Sequence, residues 1–251
     1  MTFRIATFNL HQGFKRWEER RELIVEELGA LRPDIMALNE VSVPLQAGRW
    51  LWCEVNERFD IKYAYIQQNK AGAFISEEEA QGILTLFPVL ESVNFEYLAR
   101  GRIAQVARLE IEGRPIDIYL THLHHVREED GLRQYEVQRL FQWIQSRNDI
   151  RTCIVCGDFN APPESPSIQL VLDNFRSVQI LQTFPTGLSD VGGQPSEPEL
   201  PRLSICLDYI WITQELIIEK SGLCFNNPDL KDASLWPSDH VGVWADLTLK
   251  S

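Results

Sequence analysis

Gly157-Asp158-Phe159-Asn160 places a carboxylate and a carboxamide two residues apart, so that in extended chain both side chains point the same way. Other polar residues stand where strands should begin or stop. Asn9 ends the first expected strand and Glu40 the second, His122 ends the returning arm of a hairpin, Asp208 opens a later strand, and Asp239-His240 immediately precedes the last. Strand ends are where sheet scaffolds commonly present a site. The chemistry such a set supports is metal-assisted hydrolysis. Oxygen ligands such as Glu40 and Asp239 suit a hard ion like Mg²⁺, with Mn²⁺ as its substitute, which keeps waters and takes one or two carboxylates plus substrate phosphate oxygens. Asp158 is a carboxylate able to accept a proton from water, and the histidines can donate to phosphoryl oxygens or protonate a leaving group.

These residues need elements to position them. Phe3 to Phe8 reads as a strand; Ile24, Leu28 and Leu31 then recur at helical spacing, Pro33 stops that helix, and Ile35 to Leu38 is a short apolar run. A helix is expected near Trp50 to Phe59, with strands at Tyr63–Ile66 and Gly82–Phe87 and a solvated loop or helix face at Glu77-Glu78-Glu79 between them. From Ile103, Ala107, Leu109 and Ile111 alternate with polar partners. A turn follows at Glu112 to Pro115, and Ile116, Ile118 and Leu120 resume the pattern, which is a hairpin. In that parity His122 faces the apolar side. Val137, Leu140, Phe141 and Ile144 mark a further helix; Cys153–Cys156 reads as a strand, 162–166 as a Pro-rich loop and 185–201 as a long surface loop. Strands at Leu207–Ile212, Leu216–Phe225 and Val241–Leu249 close the chain. With no internal repeat and no linker, one domain over 1–251 is expected, an α/β (α+β) fold of two packed sheets with helices outside.

The 251 residues carry 24 Lys+Arg against 36 Asp+Glu, a formal net charge of −12, with 44% hydrophobic residues. That composition is globular and large enough for a sizeable core. The six lysines are dispersed and the arginines scattered, which argues against avid, non-specific binding to nucleic acid. Five irregularly spaced cysteines do not describe a disulfide framework. No stretch reaches the roughly 20 apolar residues of a membrane helix, and no signal peptide is visible, so the expected location is cytoplasmic. The sequence implies no protein partner.

Six segments together carry a resemblance. Thr7-Phe8-Asn9, Leu38-Asn39-Glu40-Val41, Thr121-His122-Leu123, Gly157-Asp158-Phe159-Asn160, Leu207-Asp208-Tyr209-Ile210 and Ser238-Asp239-His240-Val241 resemble, in order, the signatures of the endonuclease/exonuclease/phosphatase superfamily, the deoxyribonuclease I-like fold. The resemblance implies a four-layer α/β/β/α sandwich of two mixed sheets and divalent-metal-dependent cleavage of phosphate esters. It implies Glu40 as main metal ligand with Asn9 and Asp239 close by, and Asp158 as the residue preparing the attacking water. Asn160 would position water and phosphate, His240 would contact the scissile phosphate with Asp208 orienting it, and His122 would be a second imidazole on the opposite side. Asn39 departs from the family, which more often has Gln there. Little consequence is expected, since a strand neighbour of Glu40 points to the other face.

Each residue also has a structural reading. Asp158/Asn160 could form an Asx turn, Asp239-His240 a strand-entry cap, and His122 a satisfied core histidine. His124 and His125 read as loop residues or a substrate rim, and His11 and Gly13 as site floor or turn. Cys153 and Cys156 read as core thiols on opposite faces; the tryptophans read as core, with Trp50 and Trp52 the two able to line a rim. The acidic balance favours a small-molecule or lipid phosphate ester as substrate. A nuclease would need an Arg strip, drawn from Arg100, Arg102, Arg127 and Arg133. A sphingomyelinase-like lipid phosphodiesterase, suggested by Ser238 to Val243, would need an exposed apolar surface, and an inactive scaffold would have lost a metal ligand or the water-activating Asp, neither of which is missing.

Overall fold

A computed structural model of the chain describes residues 1–12, 16–70, 78–147, 149–179, 186–189 and 202–250. The elements run β1 (Thr2–Asn9), α1 (Trp17–Leu31), β2 (Ile35–Ser42), α2 (Ala47–Phe59), β3 (Ala64–Asn69), β4 (Glu79–Thr85), β5 (Val89–Glu96), β6 (Ile103–Ile111) and β7 (Arg114–His122). They continue with α3 (Asp130–Ser146), β8 (Cys153–Asp158), α4 (Pro166–Leu172), β9 (Arg176–Ser177), β10 (Gly187–Ser189), β11 (Arg202–Ile205), β12 (Asp208–Ile212), β13 (Leu216–Cys224) and β14 (Gly242–Leu249).

One sheet has the order β13-β14-β1-β2-β4-β3 and the other β5-β6-β7-β8-β12-β9. Both are mixed, since β1 runs parallel to β2 and β7 to β8 while the remaining neighbours are antiparallel. Alternation within the strands sorts their apolar residues onto two faces. Phe3, Ile5, Ile116, Ile118, Leu120, Ile154 and Ile210 fill the space between the sheets. Ala6, Phe8 and Leu38 meet Ile24 and Leu28 of α1 and Leu51 and Val55 of α2 on one outer face. Val106, Tyr119 and Val155 meet Val137 and Leu140 of α3 and Ile168 and Val171 of α4 on the other. The layers are therefore α/β/β/α. Cys156 lies in the inter-sheet core and Cys153 in an outer one, and burial pushes both thiols up to about 12. All five cysteines are free, and among the described residues no helix is long and apolar enough to cross a membrane.

Several elements depart from the sequence reading. β5 escapes the alternation test because it is an edge strand with most positions partly or fully exposed, so neither face is consistently apolar. The Pro-rich stretch leads directly into α4, with Pro166 at its first turn, where the missing N–H costs nothing. The loop expected over 185–201 lies mostly outside the described residues; within it Gly187–Ser189 is β10, paired with β11.

Candidate functional site

Strand direction brings the polar ends together. Asn9 and Glu40 lie toward the C-terminal ends of parallel β1 and β2, and His122 and Asp158 end parallel β7 and β8. Asp208 opens β12, which runs antiparallel to β8, and His240 precedes β14, which runs antiparallel to β1. Register sets the level: His122 and Asp208 are both paired with Asp158 across the second sheet. Parity sets the direction, since Asp158 follows Ile154 and Cys156, and Asp208 precedes Ile210 and Ile212, on the inter-sheet face.

Glu40 reaches that space by a different device. Alternation would place it with Leu38, against the helices. The β2/β4 register instead shifts between Leu38 and Val41, and Glu40 has a φ of 52°. A left-handed non-glycine residue in a bulge is strained, a feature that clusters at functional sites, and the bulge re-aims the side chain. It also corrects the expectation for Asn39. Both Asn39 and Glu40 act at the inner end of the sheet, and Asn39, fully buried, spans the two sheets. Its Nδ2 donates to the Thr121 carbonyl at 3.0 Å and its Oδ1 accepts the Asp158 N–H at 3.0 Å.

The extended-chain reading of Asp158 and Asn160 is likewise corrected. Asn160 is left-handed, with a φ of 50°, and its N–H donates to Asp158 Oδ1 at 2.8 Å. This is the Asx turn, and it fixes the carboxylate while Asn160 Nδ2 donates to the Leu123 carbonyl at 3.0 Å. Gly157 has a φ of 126°, and a Cβ there would lie 2.0 Å from the Thr121 carbonyl oxygen, so no other residue fits.

The ionisable groups form a connected set. Asn9 Nδ2 donates to Glu40 Oε1 at 3.2 Å and to Asp158 Oδ2 at 3.1 Å, while Asn9 Oδ1 accepts the His11 N–H at 2.9 Å. Asp158 Oδ2 stands 3.6 Å from His122 Nε2 and 3.8 Å from His240 Nε2. His240 Nδ1 lies 2.7 Å from Asp208 Oδ2. Asp239 contacts Ser238 Oγ at 3.2 Å and His11 Nδ1 at 3.4 Å. His11 thus adjoins both Asn9 and Asp239; Gly13 lies outside the described residues.

Burial and like charge set the protonation states. Burial pushes the Asp158 carboxyl up into the neutral range, and the negative charges of Asp208 and Glu40 add to this. Glu40 is raised by burial and by Glu79 and Asp239, against the Asn9 hydrogen bond. Burial pulls His240 down, but Asp208, Asp158 and Asp239 outweigh it and hold the imidazole well above its ordinary value. His122 goes the other way: burial and the positive charges of Arg102 and Lys70 push it well down despite Glu79. The two imidazoles are therefore shifted in opposite directions, His240 toward its charged form and His122 toward its neutral one.

Two residues of the site were not legible. Glu79, expected on a solvated face, is the residue that holds His122, with Oε1 3.1 Å from Nδ1. Lys70, 6% exposed, pairs with Glu79 and lies 3.4 Å from His122 Nδ1. Both flank a segment whose sequence gives no parity. His124 is buried, with its Nε2 2.7 Å from Glu129 Oε2, so it is not a rim residue, whereas His125 is exposed. Trp52 lines a separate cavity of about 500 Å³ with Arg49 and Tyr65, which none of the site residues enters.

Among the described residues the tightest group of ligand atoms is Asp158, Asp208 and His240, within 4.8 Å of one another. His240 of this trio is pushed above its ordinary value by its carboxylate neighbours, and a protonated histidine is a poor metal ligand. Glu40 and Asp239, with side chains 19% and 32% exposed, form the oxygen-rich opening beside it.

The model of the endonuclease/exonuclease/phosphatase family matches residues 6–240, and the chain belongs to this family. The family groups enzymes that hydrolyse phosphate esters. Human Nocturnin is 25% identical over 268 residues, covering 93% of this chain and 58% of that protein. The CCR4-Not complex 3′-5′-exoribonuclease subunit Ccr4 of Candida albicans is 21% identical over 300 residues, covering 94% of this chain and 38% of that one. The chain thus spans about three fifths of the length of the Nocturnin it matches. Among solved structures, an endonuclease/exonuclease/phosphatase from Bacteroides vulgatus has a TM-score of 0.76 at 20% identity, with 100% of both chains covered. The human Nocturnin catalytic domain with bound sulfate anion has a TM-score of 0.75 at 24% identity, covering 99% of this chain and 94% of that one. These likenesses establish the sandwich.

Proposed function

We propose that the chain hydrolyses a compact phosphate ester, of small-molecule or lipid type, by in-line attack of a water prepared by Asp158. The observation that carries this reading is the position of Asp158. Its Oδ1 is held by the Asn160 N–H, while its Oδ2 faces His122, His240 and the Asn9 amide. A buried carboxylate with a raised pKa is a better proton acceptor at neutral pH than an ordinary one. Asp208 holds His240 in its charged form, so Nε2 presents a proton to a phosphoryl oxygen, where fixed donors act most on developing charge. His122, kept neutral with Nδ1 on Glu79, flanks the opposite side.

The donor set fits a divalent cation: it is all oxygen at the opening, and the carboxylates raise one another's pKa. Glu40 and Asp239, with Asn9 beside them, would hold Mg²⁺ or Mn²⁺, which polarises a phosphoryl oxygen and offsets the site's negative charge.

The arginines support a compact substrate. Of the four that could form a strip for a polyanion, Arg133 is 1% exposed and donates to the carbonyls of His124, Val126 and Arg127, and Arg102 is 9% exposed. Only Arg100 and Arg127 remain at the surface. A nuclease is the second reading, favoured by the name of the Candida relative; it requires steep salt dependence of binding. The test is a panel of phosphate mono- and diesters, a phospholipid diester and a short RNA, assayed with Mg²⁺ and Mn²⁺. Turnover of a compact ester, lost with chelator and reduced at least ~10²-fold in Asp158→Asn and His240→Ala, is expected. Undiminished turnover by folded Asp158→Asn refutes the mechanism.

A further inference from the structure

Arg102 stands immediately before β6 on the His122 side of the site, nine-tenths buried. No carboxylate of the described residues lies within 4.0 Å of its guanidinium. Its Nη1 is buried without a hydrogen-bond partner, and among the described residues its Nη2 contacts His125 Nδ1, at 3.1 Å. A buried cation left this way is costly unless something pairs with it. Its charge bears on Lys70, His122, His124 and His125, all of which it pulls down, so these groups share one neighbourhood. Glu136 also feels Arg102, but burial pushes that carboxyl up to about 7, which makes it a weak counter-ion.

The proton on His125 can be placed. A guanidinium only donates, so His125 Nδ1 is the acceptor and the neutral ring carries its hydrogen on Nε2. Being exposed, His125 caps the guanidinium at the surface. Lys70 adds a second buried ammonium, shared with Glu79 and His122. Arg102 and Lys70 against Glu79 leave a net positive pole across His122 from the carboxylates of Glu40, Asp158, Asp208 and Asp239. Within a chain of net charge −12 this separation is local and built.

We propose that Arg102, Lys70 and His125 form an anion subsite that receives a second phosphate of the substrate, distinct from the phosphoryl group being cleaved. The proposal rests on the hydrolase reading above and narrows it to esters bearing two phosphates. Movement of the His125 ring away from Nη2 opens that edge of the guanidinium to the ligand.

The subsite is tested without turnover by titrating inorganic phosphate into the full chain in EDTA, with isothermal calorimetry. One site is expected in the wild type, weakened at least ~10-fold in Arg102→Gln and at least ~3-fold in His125→Ala; the latter is a surface change that leaves folding intact. No binding to the wild type, or equal binding to both variants, overturns the proposal. If Arg102→Gln does not fold, His125→Ala decides alone. A second arm compares thymidine 5′-(4-nitrophenyl phosphate) with the same ester carrying a 3′-phosphate. The bisphosphate should have the higher kcat/KM by about tenfold in the wild type, and the ratio should fall toward one in Arg102→Gln. A ratio of one in the wild type overturns the substrate assignment. Phosphate binding with neither ester turned over supports the anion subsite and refutes the hydrolase reading instead.

Discussion

Asn39→Ala is the substitution that most directly separates architecture from chemistry. The side chain touches no substrate in the proposed mechanism, yet it joins the two sheets at the site by two buried hydrogen bonds of 3.0 Å, to the Thr121 carbonyl and from the Asp158 N–H. Truncation leaves both backbone groups buried and unpaired, at about 1–3 kcal/mol each. Partial relaxation of the site makes a total of about 2–4 kcal/mol the expectation. Urea unfolding should then show a lower midpoint with an unchanged slope. Turnover of the panel substrate should fall by about 10- to 100-fold in kcat, because the backbone carrying Asp158 loses its anchor. Asn39→Asp sharpens the test: the acceptor for the Asp158 N–H survives, but a carboxylate oxygen now faces the Thr121 carbonyl. That variant should be destabilised more at pH 8 than at pH 5. A loss below about 0.5 kcal/mol in Asn39→Ala would refute the claim that the two bonds hold the sheets in register there.

Three further outcomes follow from the geometry. Gly157→Ala puts a Cβ 2.0 Å from the Thr121 carbonyl oxygen at a φ of 126°, so it should cost more than about 3 kcal/mol; a melting temperature within a few degrees of wild type would contradict this. Glu136 is fully buried, and burial lifts its carboxyl from 4.5 to about 7. The folded state therefore binds the extra proton between those values, and stability from this group declines as pH rises through the window, by on the order of 3 kcal/mol. Glu136→Gln keeps an acceptor for the His124 N–H and should be more stable than wild type at pH 8 but not at pH 4; parallel urea midpoints across that range would refute the assignment. Glu79→Gln weakens the hold on His122 and leaves the Lys70 ammonium without its carboxylate. Both stability and kcat should drop, the latter by about tenfold or more, and an unaltered pH–rate profile would remove Glu79 from the site.

What the sequence revealed, and what it hid, divides along a physical line. Alternation is local, so the strands, the facing of His122 and the separation of Cys153 from Cys156 were readable from period alone. Bulges and turns break the period without announcing themselves. Glu40 reaches the site through a left-handed residue, Asn160 is turned by an Asx contact, and Asn39 acts where parity counted from Glu40 placed it on the other face. Lys70 and Glu79 were hidden for another reason. Their importance lies in a contact with His122 from the opposite sheet, between residues 43 and 52 positions apart, and no pattern within a strand encodes a partner across the core. Even β5 obeys this division, for an edge strand with no fully buried position gives a weak period to read.

The same line separates the two poles of the site. The acidic pole was visible because Glu40, Asp158, Asp208 and Asp239 each sit in a recognisable segment at a strand end. The basic pole was not, because net charge sums over the surface while Arg102 and Lys70 are buried, where a single unpaired cation outweighs many solvated carboxylates. Scattered arginines in an acidic chain argued against a polyanion. Their burial turns that argument to a narrower end: on the proposed subsite, positive charge held inside, with no carboxylate of the described residues paired to Arg102, would select for one fixed anionic group at a defined distance from the reacting phosphorus and give no advantage to a long polyanion lying on the surface.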